Sequence, residues 1–68
     1  MAKNLYKQNY KIGDFKLGVV VSETEGDVIS YGHVTGFELN NLNETIIRVK
    51  WAEGDENAVH PHNVKIEK

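Results

Sequence analysis

From Ile47 to Trp51 the chain alternates without a break: Ile47, Val49 and Trp51 point one way, Arg48 and Lys50 the other. A period of two belongs to a strand with one dry face and one wet face. Nowhere do apolar residues recur three and four positions apart over the length of an amphipathic helix, so the fold has to be built from strands. An earlier strand is read from Phe15, Leu17, Val19 and Val21, alternating with Lys16, Gly18 and Val20. Ser22–Asp27 then reads as a polar, glycine-containing loop. Residues 28–39 form the next strand, and Gly32 and Gly36 inside it predict a sharp bend or a bulge. Asn40–Glu44 is a turn, because asparagine tolerates left-handed backbone and bonds its own main chain. Glu53–Glu56 is a tight hairpin connection with Gly54 at positive φ. A short strand over Ala58–His60 is broken by His60-Pro61-His62-Asn63, since proline has no N–H to give to a ladder. Val64 and Ile66 close the series.

Five short strands with a bent second member suit a small all-β barrel, in which bending lets few strands curl together and hide their edges. The expected organisation is an N-terminal arm over residues 1–12, flexible or with one short helical turn around Leu5, Tyr6 and Tyr10, and one barrel over residues 13–68. The expected core is Leu17, Val19, Val21, Val34, Phe37, Ile47, Val49, Trp51, Val59, Val64 and Ile66. A domain of 68 residues buries only a modest fraction of its surface. Without cysteine there is no disulfide to reinforce it, so weak homo-oligomerisation is one expected remedy. No apolar run is long enough to cross a bilayer, and Lys3, Lys7 and Lys11 interrupt the start of the chain where a signal peptide would be apolar. The expected setting is reducing and cytoplasmic, with no membrane partner.

Charge is unevenly spread. Residues 1–18 carry four cations (Lys3, Lys7, Lys11, Lys16) against Asp14, a balance of +3; residues 19–68 carry four cations against nine acids, a balance of −5. Six acids fall in two runs, Glu23/Glu25/Asp27 and Glu53/Asp55/Glu56, each around a glycine. They suit solvated loop tips; gathered on one surface they would form an acidic rim that attracts a basic partner and repels nucleic acid.

Three segments carry a family resemblance: Leu17-Gly18-Val19-Val20-Val21, Gly32-His33-Val34-Thr35-Gly36-Phe37, and Ile47-Arg48-Val49-Lys50-Trp51 followed by Gly54 and Val59. Together, over about residues 13–67, they resemble the SH3-like barrels of the Tudor and KOW type. That resemblance implies a five-stranded barrel with a proline-bearing turn before its last strand. The Gly-x-Val-x-Gly-aromatic segment is also similar to one in the plasmid-encoded type II dihydrofolate reductases, whose pore is built by Val-Gln-Ile-Tyr-Pro from each of four subunits. Aligned on Pro61, Asn57, Ala58, Val59 and His60 face that segment. Ala58 replaces its glutamine and His60 its tyrosine, which removes the groups that would bind pterin and nicotinamide. No enzyme is expected, an oligomeric pore enzyme of this reductase kind standing only as a remote alternative.

The remaining chemistry is sparse. Ser22 and Ser30 have no nucleophile elbow, and the glycines are scattered rather than gathered in a phosphate loop. His33, His60 and His62 invite a metal, but Pro61 redirects the chain between the last two, and no cysteine or helical His pair assists; no metal and no cofactor are expected. A Tudor-type aromatic cage would need several rings. Phe37 and Trp51 are assigned to the core, leaving Tyr31 as the exposed aromatic. The preferred function is a non-enzymatic interaction module of the accessory-protein kind found in bacteria, phages and plasmids. It would bind a protein partner through Tyr31, Glu23, Glu25, Asp27, Glu53, Asp55 and Glu56. The alternative is RNA or DNA binding of the KOW kind, through Arg48 and Lys50 on the outer face of the third strand, beside His33 and Thr35, with Lys3, Lys7 and Lys11 on the arm.

Overall fold

In the computed structural model, which describes residues 12–67, the alternating segments form one antiparallel sheet. Its strands are β1 (Val20–Glu25), β2 (Val28–Leu39), β3 (Thr45–Trp51), β4 (Glu56–Val59) and β5 (Lys65–Ile66), in the spatial order β4-β3-β2-β1-β5. Single 3-10 turns lie at Ile12–Asp14 and Pro61–Asn63. The protein is thus all-β as its periodicity requires. This strand order, the bent central strand and the 3-10 turn before the last strand are compatible with an SH3-like barrel. Lys3, Lys7 and Lys11, and the short helical turn expected around Leu5, Tyr6 and Tyr10, lie outside the described residues.

One side of the sheet closes on Phe15, Val21, Val34, Ile47, Val49, Trp51 and Val64, with Val19, Val59 and Ile66 packed against them. The bend that lets both edge strands reach this cluster comes from β2. Its register shifts between Val34 and Gly36, so that Val34 faces Val49 while Phe37, three residues on, faces Ile47. Thr35 is the extra residue of this bulge. Gly32 serves a different end: a Cβ there would stand 2.7 Å from Val49 Cγ1 and 2.9 Å from Trp51 Cε3. Its missing side chain is the space that the Trp51 ring uses. The indole Nε1–H donates to Asn57 Oδ1 at 3.0 Å, so the ring is buried with its polar atom satisfied.

The expected turns hold. Asn40 Oδ1 accepts from the N–H groups of Leu42 and Glu44, with Asn43 at φ 63°. Gly54 sits at φ 112° in the β3–β4 connection. His60 caps the second 3-10 turn, its Nδ1 accepting from His62 N–H at 3.2 Å.

Three expectations are corrected. Leu17 is 67% exposed, and Phe15, at 1%, takes the core position. The cause is a turn at Leu17-Gly18, with Gly18 at φ 89°, which interrupts the alternation so that β1 starts only at Val20. Phe37 lies on the inner side, opposite the buried Ile47, yet is 44% exposed and stands outside the packed cluster. Finally, Ser22–Asp27 is not a loop. Ser22 to Glu25 complete β1, and the chain reverses in only two residues, Gly26 (φ 62°) and Asp27. Ser22 is buried between β2 and β5, and its hydroxyl donates to Glu67 Oε2 at 2.5 Å, an anchor 45 residues away that no local pattern announces.

Candidate functional site

Topology decides which charged residues become neighbours. Successive antiparallel strands reverse direction, so the β1–β2 and β3–β4 turns emerge at the same end of the sheet. Ala52 N–H donates to Tyr31 O at 2.8 Å, which ties the second turn to the flank of the first hairpin. Glu23, Glu25 and Asp27 of one acidic run, and Glu53 and Asp55 of the other, therefore share one end. None of these five carboxylates makes an ion pair with a described residue. Glu23 and Glu25 lie on the same side of β1. Partial burial, and then repulsion from Glu25, raise the Glu23 pKa above the ordinary glutamate value.

Glu56, the sixth acid of the two runs, belongs elsewhere. On the outer face of the sheet its Oε2 accepts from Thr35 Oγ1 at 2.8 Å and meets Arg48 Nε at 3.4 Å. Arg48 Nη1 also pairs with Glu38 Oε1 at 2.8 Å. The Thr35 hydroxyl, then the Arg48 guanidinium, hold the Glu56 pKa below the usual carboxylate value, and Glu38 followed by Glu56 raises that of Arg48. The bulge puts Thr35 within reach of both β3 and β4, which is how this network assembles. Arg48, one of the cations expected to serve nucleic acid, is thus engaged by two carboxylates. Lys50 stands exposed beside it, opposite His33 on β2 and Glu56 on β4.

Tyr31 lies mid-strand on the same outer face, opposite Ser22, and is 49% exposed. Ile29, two residues before it, and Val20, diagonal to it across β1, are 52% and 45% exposed. The sequence pointed to Tyr31 but not to these two companions; their signal was alternation, once Ser22–Glu25 is placed in a strand. Phe37 and Trp51 lie on the inner side, so the three aromatics do not converge into a cage. At the opposite end of the sheet, His60 Nε2 is 3.6 Å from Glu44 Oε1, and the His60 and His62 rings meet edge to face at 4.7 Å. Among the described residues no group of three or more His, Asp or Glu side chains is arranged to hold a metal ion. Asn57 to His60, aligned above with the reductase pore segment, run along edge strand β4 and just beyond it, with Asn57 held by Trp51. No described helix is long and apolar enough to cross a membrane. No protein-family model, curated protein or solved structure matches this chain.

Proposed function

We propose that this chain is a non-enzymatic interaction module of the small SH3-like barrel kind, whose acidic end binds a lysine- or arginine-bearing segment of a protein partner. One observation carries the reading: Glu23, Glu25, Asp27, Glu53 and Asp55 share one end of the sheet with no cation of the described residues paired to them. A cationic segment would supply the missing counter-charges and relieve the repulsion between Glu23 and Glu25. Tyr31, mid-strand on the outer face and so on the opposite side of the sheet from Glu23 and Glu25, would be a separate contact, adding flat aromatic area and cation–π attraction for a partner that reaches round the β1–β2 edge. The likeness to Tudor and KOW barrels supports a binding role. Within it, ionic recognition of a cationic peptide suits this surface better than a methyl-lysine cage, which needs more rings. A reducing, cytoplasmic setting fits a cysteine-free chain, and nucleic acid is disfavoured by the same carboxylates.

The test is capture of partners from source-cell lysate, with titration of a lysine-rich peptide and of RNA and DNA oligonucleotides against the labelled protein. The expected result is peptide binding that weakens with salt and is lost when Glu23, Glu25, Glu53 and Asp55 are changed to their amides. Undiminished binding by that variant would remove the acidic end from the mechanism. Oligonucleotide shifts centred on Lys50 would favour the nucleic-acid alternative instead.

A further inference from the structure

We infer that His60 is a pH-sensitive fastener at the seam of the curled sheet: neutral, it holds the turn that joins the two edges, and protonated it lets that turn go. β4 and β5 lie at opposite edges in the order β4-β3-β2-β1-β5, yet only residues 60–64 separate them. Both edges send a side chain, Val59 and Ile66, to one core cluster, so this short segment is where they approach. Within it Pro61 and Val64 are buried. Pairing of β5 is thin: two residues lie against β1, and Glu67 N–H donates to Val20 O at 2.9 Å just beyond. How firmly β5 is held therefore depends on the 3-10 turn that delivers it.

A neutral imidazole carries one N–H and one lone pair, and its partners decide which nitrogen has which. Nδ1 of His60 meets the His62 backbone N–H at 3.2 Å, a donor that requires a lone pair. Nε2 faces Glu44 Oε1 at 3.6 Å, too far for a direct hydrogen bond but near enough for the carboxylate to favour a proton there. Glu44 is itself fixed, because its Oε1 accepts from Asn40 Nδ2 at 2.9 Å and its backbone N–H donates to Asn40 Oδ1. His60 is thus a neutral Nε2–H imidazole bridging the β2–β3 turn and the 3-10 turn. A second proton can enter only at Nδ1, where it meets the His62 N–H donor against donor. The cap is then lost, while the attraction to Glu44 remains and acts between full charges, so the ring stays with Glu44 and releases the turn. Among the described residues, Glu44 and His62 are the titratable groups against this ring. The His62 ring, edge to face at 4.7 Å, becomes a like charge when it too is protonated, which adds to the opening. On β3 the register continues past Ala58 to set His60 opposite the uncharged Ile46, and the next charges on that face, Arg48 and Glu38, are paired with each other.

This inference does not rest on the acidic-end reading, and the full chain tests it without any ligand. Imidazole nitrogen NMR at neutral pH should show His60 protonated on Nε2 and bare on Nδ1. Between about pH 8 and about pH 5, the window in which histidine changes charge, the His62 amide resonance should follow the His60 titration. Over the same window the protection of the Glu67 amide, corrected for the intrinsic pH dependence of exchange, should fall several-fold. His60→Asn, whose amide oxygen caps a turn without titrating, should keep that protection throughout; His60→Ser serves the same purpose should the first fail to fold. His62→Gln should leave the fall in place. An Nδ1–H tautomer at neutral pH, Glu67 protection that stays constant across the window, a fall of the same size in the His60 variants, or its disappearance in His62→Gln would overturn the proposal.

Discussion

Neighbouring residues of β3 live under different rules. Ile47, Val49 and Trp51 on the inner side are at most 6% exposed and are surrounded by carbon, whereas Arg48 and Lys50 between them face water. Shape governs the inner side, since each atom removed leaves a gap and each atom added meets a neighbour. The outer side is governed by pairing: Arg48 is bracketed by Glu38 and Glu56, and solvent screening makes such exposed pairs weak contributors to stability. The acidic end adds a third case, carboxylates with no ion-pair partner among the described residues. Stability should therefore be concentrated on one side of the sheet, leaving the other side and the turn end free to serve recognition.

The hardest test of this division is Trp51→Ala, which should cost about 3–5 kcal/mol through lost burial and a residual cavity. In a domain this small that loss amounts to unfolding, visible in chemical denaturation. Gly32→Ala attacks the same site by addition, with about 1–3 kcal/mol of overpacking expected because Trp51 and Val49 occupy the space a methyl group would need. If Gly32→Ala melted like the wild type, the Trp51 ring would not lie over Gly32, and the inner side would be looser than described.

Smaller effects separate the two kinds of carboxylate. The Glu56 pKa is lowered in the folded state, so its contribution to stability is present above the unfolded glutamate value and lost as pH falls through the lowered one. Replacing it, Glu56→Gln, should leave the neutral-pH melting temperature almost unchanged and reduce the loss of stability on acidification. Glu23 has the opposite sign. Its pKa is raised, so its favourable state is the protonated one, fully present below the unfolded value and lost as pH rises through the raised one. Glu23→Gln should therefore raise the melting temperature slightly at neutral pH, and the difference from wild type should vanish as the solution is acidified. A Glu23→Gln protein that melts lower at neutral pH would mean that Glu23 is paired rather than waiting for a partner.

Much of the framework was legible in the chain. Alternation from Ile47 to Trp51, the asparagine turn at Asn40–Glu44, the glycine at position 54 and the break at Pro61 all follow from local chemistry, and all appear where they are expected. Leu17 leaves the core and Phe15 enters it because Leu17 itself sits in the turn with Gly18, where alternation carries no phase. The second half of β1 was hidden by its polar residues. Ser22 lies buried between β2 and β5 with its hydroxyl satisfied by Glu67, and Glu23 and Glu25 are held in the strand by pairing with β2. The candidate surfaces were half visible: Tyr31 and the acidic runs stand out in composition, while their grouping does not.

The sequence by itself determined that this protein is built of strands, where its main turns fall and that it is short of cations after residue 18, since these depend on side-chain period, backbone preference and simple charge. Only the tertiary structure decided that two acidic runs some 30 residues apart share one end, that Glu56 leaves them to pair with Arg48, and that Val20 and Ile29 join Tyr31. Those are matters of register, and register is set by which strands pair and where a bulge inserts one extra residue, a choice made by the whole sheet as it closes on its core.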